Sequence, residues 1–497
     1  MSVLVESTLR VETLIKPFIG GRFVDGDGAT LDVRNPARDE PLATVETATR
    51  EQVDAAVAAA RAAFEKWGAS SPAERAKVLH RTADLIDAQR DDLARLETLN
   101  VGKTIAETRA GDIPRAAQNL RFFADFARDL STDAIFTEAA FLGQKKDFLS
   151  YVVHDPVGVA ALIPPFNSPL MQATWKAGPA LAFGNTAVLK PSPLTPLTSL
   201  RLAELFAEAG LPDGVFNVVP GGAEVGAALS EHPDVDLISF TGSTATGRAI
   251  AMSAAPTLKR LSLEMGGKSP NLVFADCDLD LAVKGSVRAV FRNQGQVCLA
   301  GTRLFVEDSI YDAFMERFVA AAKAMLLGDP LEEHTELGST ISGAHAERVR
   351  GMIRAGVQAG CTLLAGGDGV PDVPAPLVGR NYLEPTIFSD VPRSADVYRE
   401  EIFGPVVVVA RFHSDEEAVQ LANDTKYGLA AMLWSNDLSR AHRVAHQIRA
   451  GTIWINSFFI RDLRAPFGGQ KASGMGREGG KYSLDFFTEP KTVCLPY

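Results

Sequence analysis

Gln294-Gly295-Gln296-Val297-Cys298 sets a cysteine in a glycine-containing loop just beyond a predicted helix. Thiolate is the nucleophilic form, and a free cysteine with a pKa of about 8.5 is only a few per cent ionised at neutral pH. A nucleophilic Cys298 needs a neighbour that lowers its pKa or takes its proton; alone, it reads first as a small buried hydrophobe. Glu264, in Leu263-Glu264-Met265-Gly266-Gly267-Lys268-Ser269-Pro270, ends an apolar run before two glycines. That position is the carboxyl edge of a sheet, where α/β folds bind ligands, although a solvated strand end looks the same. Asn167, in Ile163-Pro164-Pro165-Phe166-Asn167-Ser168-Pro169-Leu170, is a turn residue by type. Its side-chain amide is equally suited to face a developing oxyanion. Phe240-Thr241-Gly242-Ser243-Thr244-Ala245-Thr246-Gly247 runs from strand through a small-residue turn into a helix, whose free N–H groups suit a phosphate.

These groups need a scaffold, and the periodicity supplies one. Residues 50–130 read as helices, with apolar spacing of three and four over 55–67 and 73–96. Ser71-Pro72-Ala73-Glu74 opens the second with a cap, a first-turn proline and an early carboxylate. From 150 to 265 strand and helix alternate: apolar runs at 157–163, 186–189, 215–219 and 236–240 are separated by helical stretches such as 196–209 and 223–230. A second alternation has strands at 271–274, 302–306, 406–412 and 452–456, with helices ending near 293, 327 and 423. This pattern predicts two α/β domains with doubly wound parallel sheets. Lys491 to Leu495 reads as a lone strand in need of a partner sheet, on a neighbouring subunit or elsewhere.

The chain has 497 residues, a net charge of −11 and 22% charged residues. An acidic surface argues against nucleic acid or an anionic membrane as the main partner, though local arginines can still hold a small anion. No apolar stretch reaches membrane-spanning length. Met1 to Glu12, broken by Glu6, Arg10 and Glu12, lacks the pattern of a secretory signal, so the expected location is cytoplasmic. Cysteines 277, 298, 361 and 494 stand far apart, which suits neither a disulfide framework nor a zinc site, and no metal is expected.

Taken together, these segments resemble the aldehyde dehydrogenase superfamily over nearly the whole chain. The Glu264 to Cys298 spacing of 34 residues is typical of it, as are Glu401-Ile402-Phe403-Gly404-Pro405, Pro466-Phe467-Gly468-Gly469 and Ser473-Gly474. The resemblance implies a Rossmann-like cofactor domain (1–131 and 152–263), a catalytic domain (264–474) and a small β oligomerisation element (132–151 and 475–497). It implies that Cys298 forms a thiohemiacetal and then a thioester, with Asn167 and the Cys298 backbone N–H at the oxyanion and Glu264 activating water. Lys176 matches the family lysine near the proton path; a surface lysine is the alternative. Lys190 matches the contact to the adenosine ribose. Thr241, Gly242, Ser243 and Gly247 would border the pyrophosphate, Glu401 would hold the nicotinamide ribose, and Phe403 would pack beside that ring. NAD is the expected cofactor, with NADP left open, because Pro193 stands where many NAD-using members have a ribose-binding glutamate. Phe166 replaces the usual tryptophan before the asparagine. A homodimer or homotetramer is implied.

The segment from Ile455 to Phe467 should line the substrate tunnel, and it carries Arg461 and Arg464. Arg115 lies on a helix that lines the same tunnel in the family; Trp175 and Phe467 would complete the wall. Guanidinium groups in an apolar tunnel imply a carboxylate-bearing aldehyde. With Gly474-Met475-Gly476-Arg477-Glu478-Gly479-Gly480, they resemble the hydroxymuconic, aminomuconic and carboxymethyl-hydroxymuconic semialdehyde dehydrogenase branch. The alternatives are a neutral aromatic or aliphatic aldehyde with structural arginines, a silent protein of this fold, and a CoA-acylating enzyme. Glu264 argues against the last, since a thiol acceptor needs no water-activating base.

Overall fold

The computed structural model describes residues 14–26 and 28–496; the Met1 to Glu12 reading lies outside them. Two large sheets organise the chain. The first has eight strands in the order Gly474–Met475, Arg260–Glu264, Leu237–Thr241, Val159–Ile163, Thr186–Leu189, Phe216–Val218, Phe18–Ile19 and Arg22–Phe23. Its five central strands are parallel, and antiparallel strands close both edges. The second has seven strands, Thr362–Ala365, Thr386–Ser389, Val406–Phe412, Arg303–Glu307, Pro270–Val273, Ala430–Trp434 and Thr452–Ile455. All but the first of these run parallel.

The period-two pattern shows why both faces must be covered. Ala160, Leu162, Ala187 and Leu189 join one core, whereas Val159, Ala161, Ile163 and Val188 join the core on the opposite face. Leu272, Phe305 and Val408 divide from Val273, Leu304 and Val409 in the same way in the second sheet. Successive side chains point to opposite faces, so strands apolar at every position need helices on both. The capping box at Ser71 forms as its sequence predicts, with reciprocal bonds to Glu74. The predicted 73–96 helix is two helices, Pro72–Ala88 and Arg90–Val101, broken at Gln89.

The lone terminal strand finds its partner within the chain. Thr488–Pro496 pairs antiparallel with Gln144–Pro156, which also pairs with Ala134–Phe141. The expected 475–497 unit is split. Gly474–Met475 edges the first sheet, and the Gly480–Phe487 helix buries Leu484 and Phe487 in the first core.

Chain direction places the site. From Val159–Ile163 the first sheet grows one way through 186–189 and 216–218, then the other way through 237–241 and 260–264. The reversal leaves a crevice beyond the carboxyl ends of Val159–Ile163 and Leu237–Thr241, the place where such sheets bind ligands. Asn167 follows one end, Thr241 forms the other, and Glu264 ends the next strand. In the second sheet the loop carrying Cys298 precedes Arg303–Glu307, and Glu401 precedes Val406–Phe412. The amino ends of one sheet therefore face the carboxyl ends of the other across the site.

Gly285, on the Leu279–Phe291 helix, tests how tightly the second core is packed. A Cβ there would stand 2.0 Å from the ring of fully buried Trp434, whose Nε1–H donates to Asn271 at 2.7 Å. Alanine would gain about 1 kcal/mol of helix propensity. Overpacking against the indole outweighs it, so Gly285→Ala should lower unfolding stability by about 1–2 kcal/mol net in a denaturant titration. A stabilised variant would show that this interface yields.

Candidate active site

Cys298 stands where two cavities meet. Asn167, Gln172, Thr241, Met265 and Cys298 line both a narrow inner cavity and a cleft of about 780 Å³. The nucleophile loop reaches this point through three successive residues with positive φ: Asn293 at 49°, Gln294 at 55° and Gly295 at 67°. Non-glycine residues adopt that conformation only where their surroundings enforce it. Here a Cβ on Gly295 would meet the Gly404 carbonyl at 2.1 Å, so this loop lies against the Glu401–Pro405 segment. Asn293 Nδ2 donates to the carbonyls of Asn167 and Gln296, each at 3.3 Å, and Asn167 Nδ2 donates to the Gln296 carbonyl at 2.8 Å. The oxyanion candidate and the nucleophile loop are thus tied directly together.

Burial in the inner cavity shifts Cys298, Glu264 and Arg461. Burial pushes the Cys298 thiol up to about 12, with Glu401 and then Glu264 adding to it and Arg461 opposing it. Glu264 is 3% exposed, and neither carboxylate oxygen has a hydrogen-bond partner among the described residues. Burial, then Glu478, raises its pKa well above the ordinary carboxylate range. Glu401 is raised to about 7 by burial, with its Oε1 accepting the Gly267 N–H at 3.2 Å. Lys176 is not a surface lysine: it is 1% exposed and donates to Ser239 Oγ at 3.0 Å and Glu478 Oε1 at 3.2 Å.

The cleft gathers most of the cofactor candidates. Lys190, Thr241, Gly242, Ser243, Glu401 and Phe403 all line it. Ser243 caps the Thr244–Ala254 helix, leaving that N-terminus facing the cleft. Thr241 Oγ1 is buried without a hydrogen-bond partner among the described residues. Burial lowers Lys190 to about 8. Phe403 has φ 58° and packs against Phe166, ring centroids 5.6 Å apart, while His345 bonds its carbonyl at 2.7 Å. Gly247 sits one layer back, where a Cβ would meet Met265 Sδ at 2.4 Å; its lack of a side chain serves packing. Pro193 lines the cleft with Arg248, and the two carboxylates on its wall are Glu400 and Glu401.

The aldehyde dehydrogenase family model matches residues 23–493. The chain belongs to the aldehyde dehydrogenase family. The 2-hydroxymuconic semialdehyde dehydrogenase of Pseudomonas sp. strain CF600 is 48% identical over 485 residues, covering 97% of this chain and 99% of that relative. The 2-aminomuconic semialdehyde dehydrogenase of Danio rerio is 44% identical, covering 97% and 98%. Among solved structures, an NAD+ complex of the aldehyde dehydrogenase from Bacillus cereus superposes with a TM-score of 0.92 at 43% identity, covering 97% of each chain. Among the described residues, no helix is long and apolar enough to cross a membrane.

In this dehydrogenase the three candidate arginines take different places. Arg461 lines the inner cavity, its guanidinium 3.6 Å from the Phe467 ring centroid and 4.9 Å from that of Trp175. Arg115 lies beside it, half-buried, donating to the Arg461 carbonyl at 3.4 Å and to Gln118 at 3.2 Å. Arg464 is a correction. Its side chain is 78% exposed and pairs with Asp462 at 2.6 Å, so it does not reach the cavity. The two-residue spacing lets a turn close that pair: Asp462 Oδ1 also accepts the Arg464 backbone N–H at 2.9 Å.

Sequence reasoning passed over Glu478, Lys103 and Asp112 as cavity residues. Glu478 accepts from Trp175, Lys176 and Ser239. A glutamate flanked by Gly476, Gly479 and Gly480 was its one signal.

Because burial holds Cys298 as a thiol, its alkylation by iodoacetamide in the ligand-free enzyme should accelerate about tenfold per pH unit from pH 8 to 10. Glu401→Gln removes the largest charge that raises the thiol, so it should speed alkylation at pH 8 by roughly threefold, half a pKa unit. A plateau below pH 9 would contradict burial as the controlling effect.

Proposed function

We propose that this enzyme oxidises an aldehyde carrying a carboxylate at its far end, of the 2-hydroxymuconic semialdehyde kind formed by aromatic ring cleavage. NAD accepts the hydride and water accepts the acyl group. One observation carries the substrate class: Arg461 lines the cavity of Cys298 and forms no ion pair among the described residues. Burial, then Arg115, lowers its guanidinium only to about 10, so it remains a cation at neutral pH. Glu478 and Glu264 attract it only through space, without a direct ion pair, and a substrate carboxylate would add a direct counter-charge through two parallel hydrogen bonds. Arg115 adds a second positive charge. The names of the Pseudomonas and Danio rerio relatives agree with this reading.

In the reaction, the Cys298 sulfur adds to the aldehyde carbon while Glu264, in the same cavity, takes the thiol proton and passes it on before it meets water. One N–H of the Asn167 amide is held by the Gln296 carbonyl, which leaves the second for the oxyanion together with the Cys298 backbone N–H. A bound nicotinamide dinucleotide supplies the hydride acceptor. Ser243, Thr241 and Lys190 would hold its phosphates and adenosine ribose, and Glu401 its second ribose. Water then attacks the thioester, and Glu264 takes its proton; a raised pKa makes that carboxylate the stronger base. The acid leaves and the thiol reforms. Ser239, Lys176 and Glu478 form the buried polar chain beside Glu264 along which the proton departs. Pro193 itself carries no charge to oppose a 2′-phosphate, while Glu224 lies close enough to Lys190 to act on its charge, so NADP should support turnover less well than NAD.

In this reading 1–131 with 152–263 bind cofactor and 264–474 carry the chemistry in the cytoplasm. The three-stranded sheet, with Ile135, Phe141 and Leu142 exposed, joins subunits into a homodimer or homotetramer.

Arg461→Ala should lower kcat/KM on 2-hydroxymuconic semialdehyde by about 10–200-fold, the roughly 1.5–3 kcal/mol of a charged hydrogen bond. Oxidation of benzaldehyde should change less than about twofold. Equal losses on both substrates would make Arg461 a structural residue.

A further inference from the structure

We infer that Lys103 is a positioning residue for the oxyanion donor: anchored on Asp112, it fixes Ser168 and through Ser168 the Asn167 peptide. The inference rests on Asn167 as that donor. Lys103 follows the Arg90–Val101 helix, is 3% exposed, and borders the inner cavity. Its ammonium pairs with Asp112 and donates to Ser168 Oγ at 2.8 Å.

An ammonium can only donate, so Ser168 Oγ must accept from it and direct its single hydrogen elsewhere. That hydrogen goes to the Asn167 carbonyl at 2.8 Å. The same carbonyl accepts from Asn293, and the Asn167 side chain donates to Gln296. Asn167 is therefore held from two sides, by the Lys103–Ser168 relay and by the nucleophile loop. Geometry at an oxyanion site is decisive, because a donor acts only where it meets the developing charge.

Lys103 differs from Arg461 in having its charge already answered. Asp112 is its counter-ion, at 4% exposure. Glu97 lies against the same pair, fully buried, with Oε2 accepting the Leu170 N–H at 3.2 Å. Burial, then Asp112, raises Glu97 to about 8. The Lys103 ammonium is thus answered by Asp112 directly, with no surplus positive charge there to bind a substrate carboxylate.

The test is a mutant cycle in the full-length enzyme, read as kcat and aldehyde KM. Asn167→Ala should lower kcat by about 100-fold or more; if it does not, the oxyanion reading fails, separately from this inference. Lys103→Met and Ser168→Ala should each lower kcat by about 10–100-fold while aldehyde KM stays within about threefold. In the Asn167→Ala background both should have almost no further effect. Lys103→Met with Asp112→Asn leaves no unpaired buried charge, which protects the fold, and should keep the full kcat loss. Three results would overturn the inference: undiminished losses in the Asn167→Ala background, recovery of kcat in the Lys103→Met/Asp112→Asn pair, or a raised KM with kcat intact.

Discussion

A Cβ at Gly266 would stand 1.9 Å from Glu401 Oε2, and one at Gly267 would stand 2.7 Å from the Cys298 carbonyl. The backbone of these two residues passes between the nucleophile loop and the Glu401 segment, with no room for side chains. Everything else at the site depends on that close approach. It brings the carboxyl edge of the first sheet, ending in Glu264, against the amino ends of the second, which carry Cys298 and Glu401. The Gly267 N–H then bonds Glu401 directly, so the carboxylate on the cleft side is held by the strip of backbone that follows the base. Larger residues at 266 or 267 would separate the two sheets where the chemistry needs them joined.

The compactness that results explains the electrostatics. With a net charge of −11, the surface repels anions at long range. Within the cavity, the balance is set by Arg461 and Arg115 against Glu264, Glu478 and Cys298, at separations where screening by salt is weak. Glu401 and Glu264 raise the affinity of Cys298 for its proton, Glu478 raises that of Glu264, and Arg461 opposes both shifts. Burial therefore keeps the nucleophile as a thiol and makes Glu264 a stronger base. A local field of this kind is independent of the global charge, which is why an acidic composition that argues against nucleic acid leaves room for an anionic substrate.

Most of the architecture was legible because strands buried on both faces leave continuous apolar runs. Thr186–Leu189 and Val406–Phe412 fall where their sequences predict. Ala430–Trp434, next to the edge of the second sheet, was missed: Ala-Ala-Met-Leu-Trp lacks the β-branched residues that mark a strand, and burial against neighbours decides its state. At the site, Cys298, Glu264 and Asn167 were readable from local context, because each sits at a strand or helix end. Lys103 and Glu478 were not. Their partners lie 65 and 302 residues away, and such pairings leave no local pattern. Arg464 misled because proximity in sequence to Arg461 says nothing of direction, and a turn two residues wide gave it Asp462 instead.

The contrast among buried cations in this chain shows why the substrate wall uses arginine. Burial lowers Lys268 to about 7 and Lys190 to about 8, so the first is about half neutral at physiological pH. Arg461, buried beside a second arginine, falls only to about 10 and stays charged at neutral pH. A lysine in its place would lose its proton to the same desolvation, and with it the attraction for a carboxylate. Arginine also keeps a flat apolar face, which rests on Phe467 and Trp175 while the N–H edge remains available. The rings thus let a charge persist in a cavity dry enough to hold Cys298 as a thiol, and the two demands are met by one local dielectric.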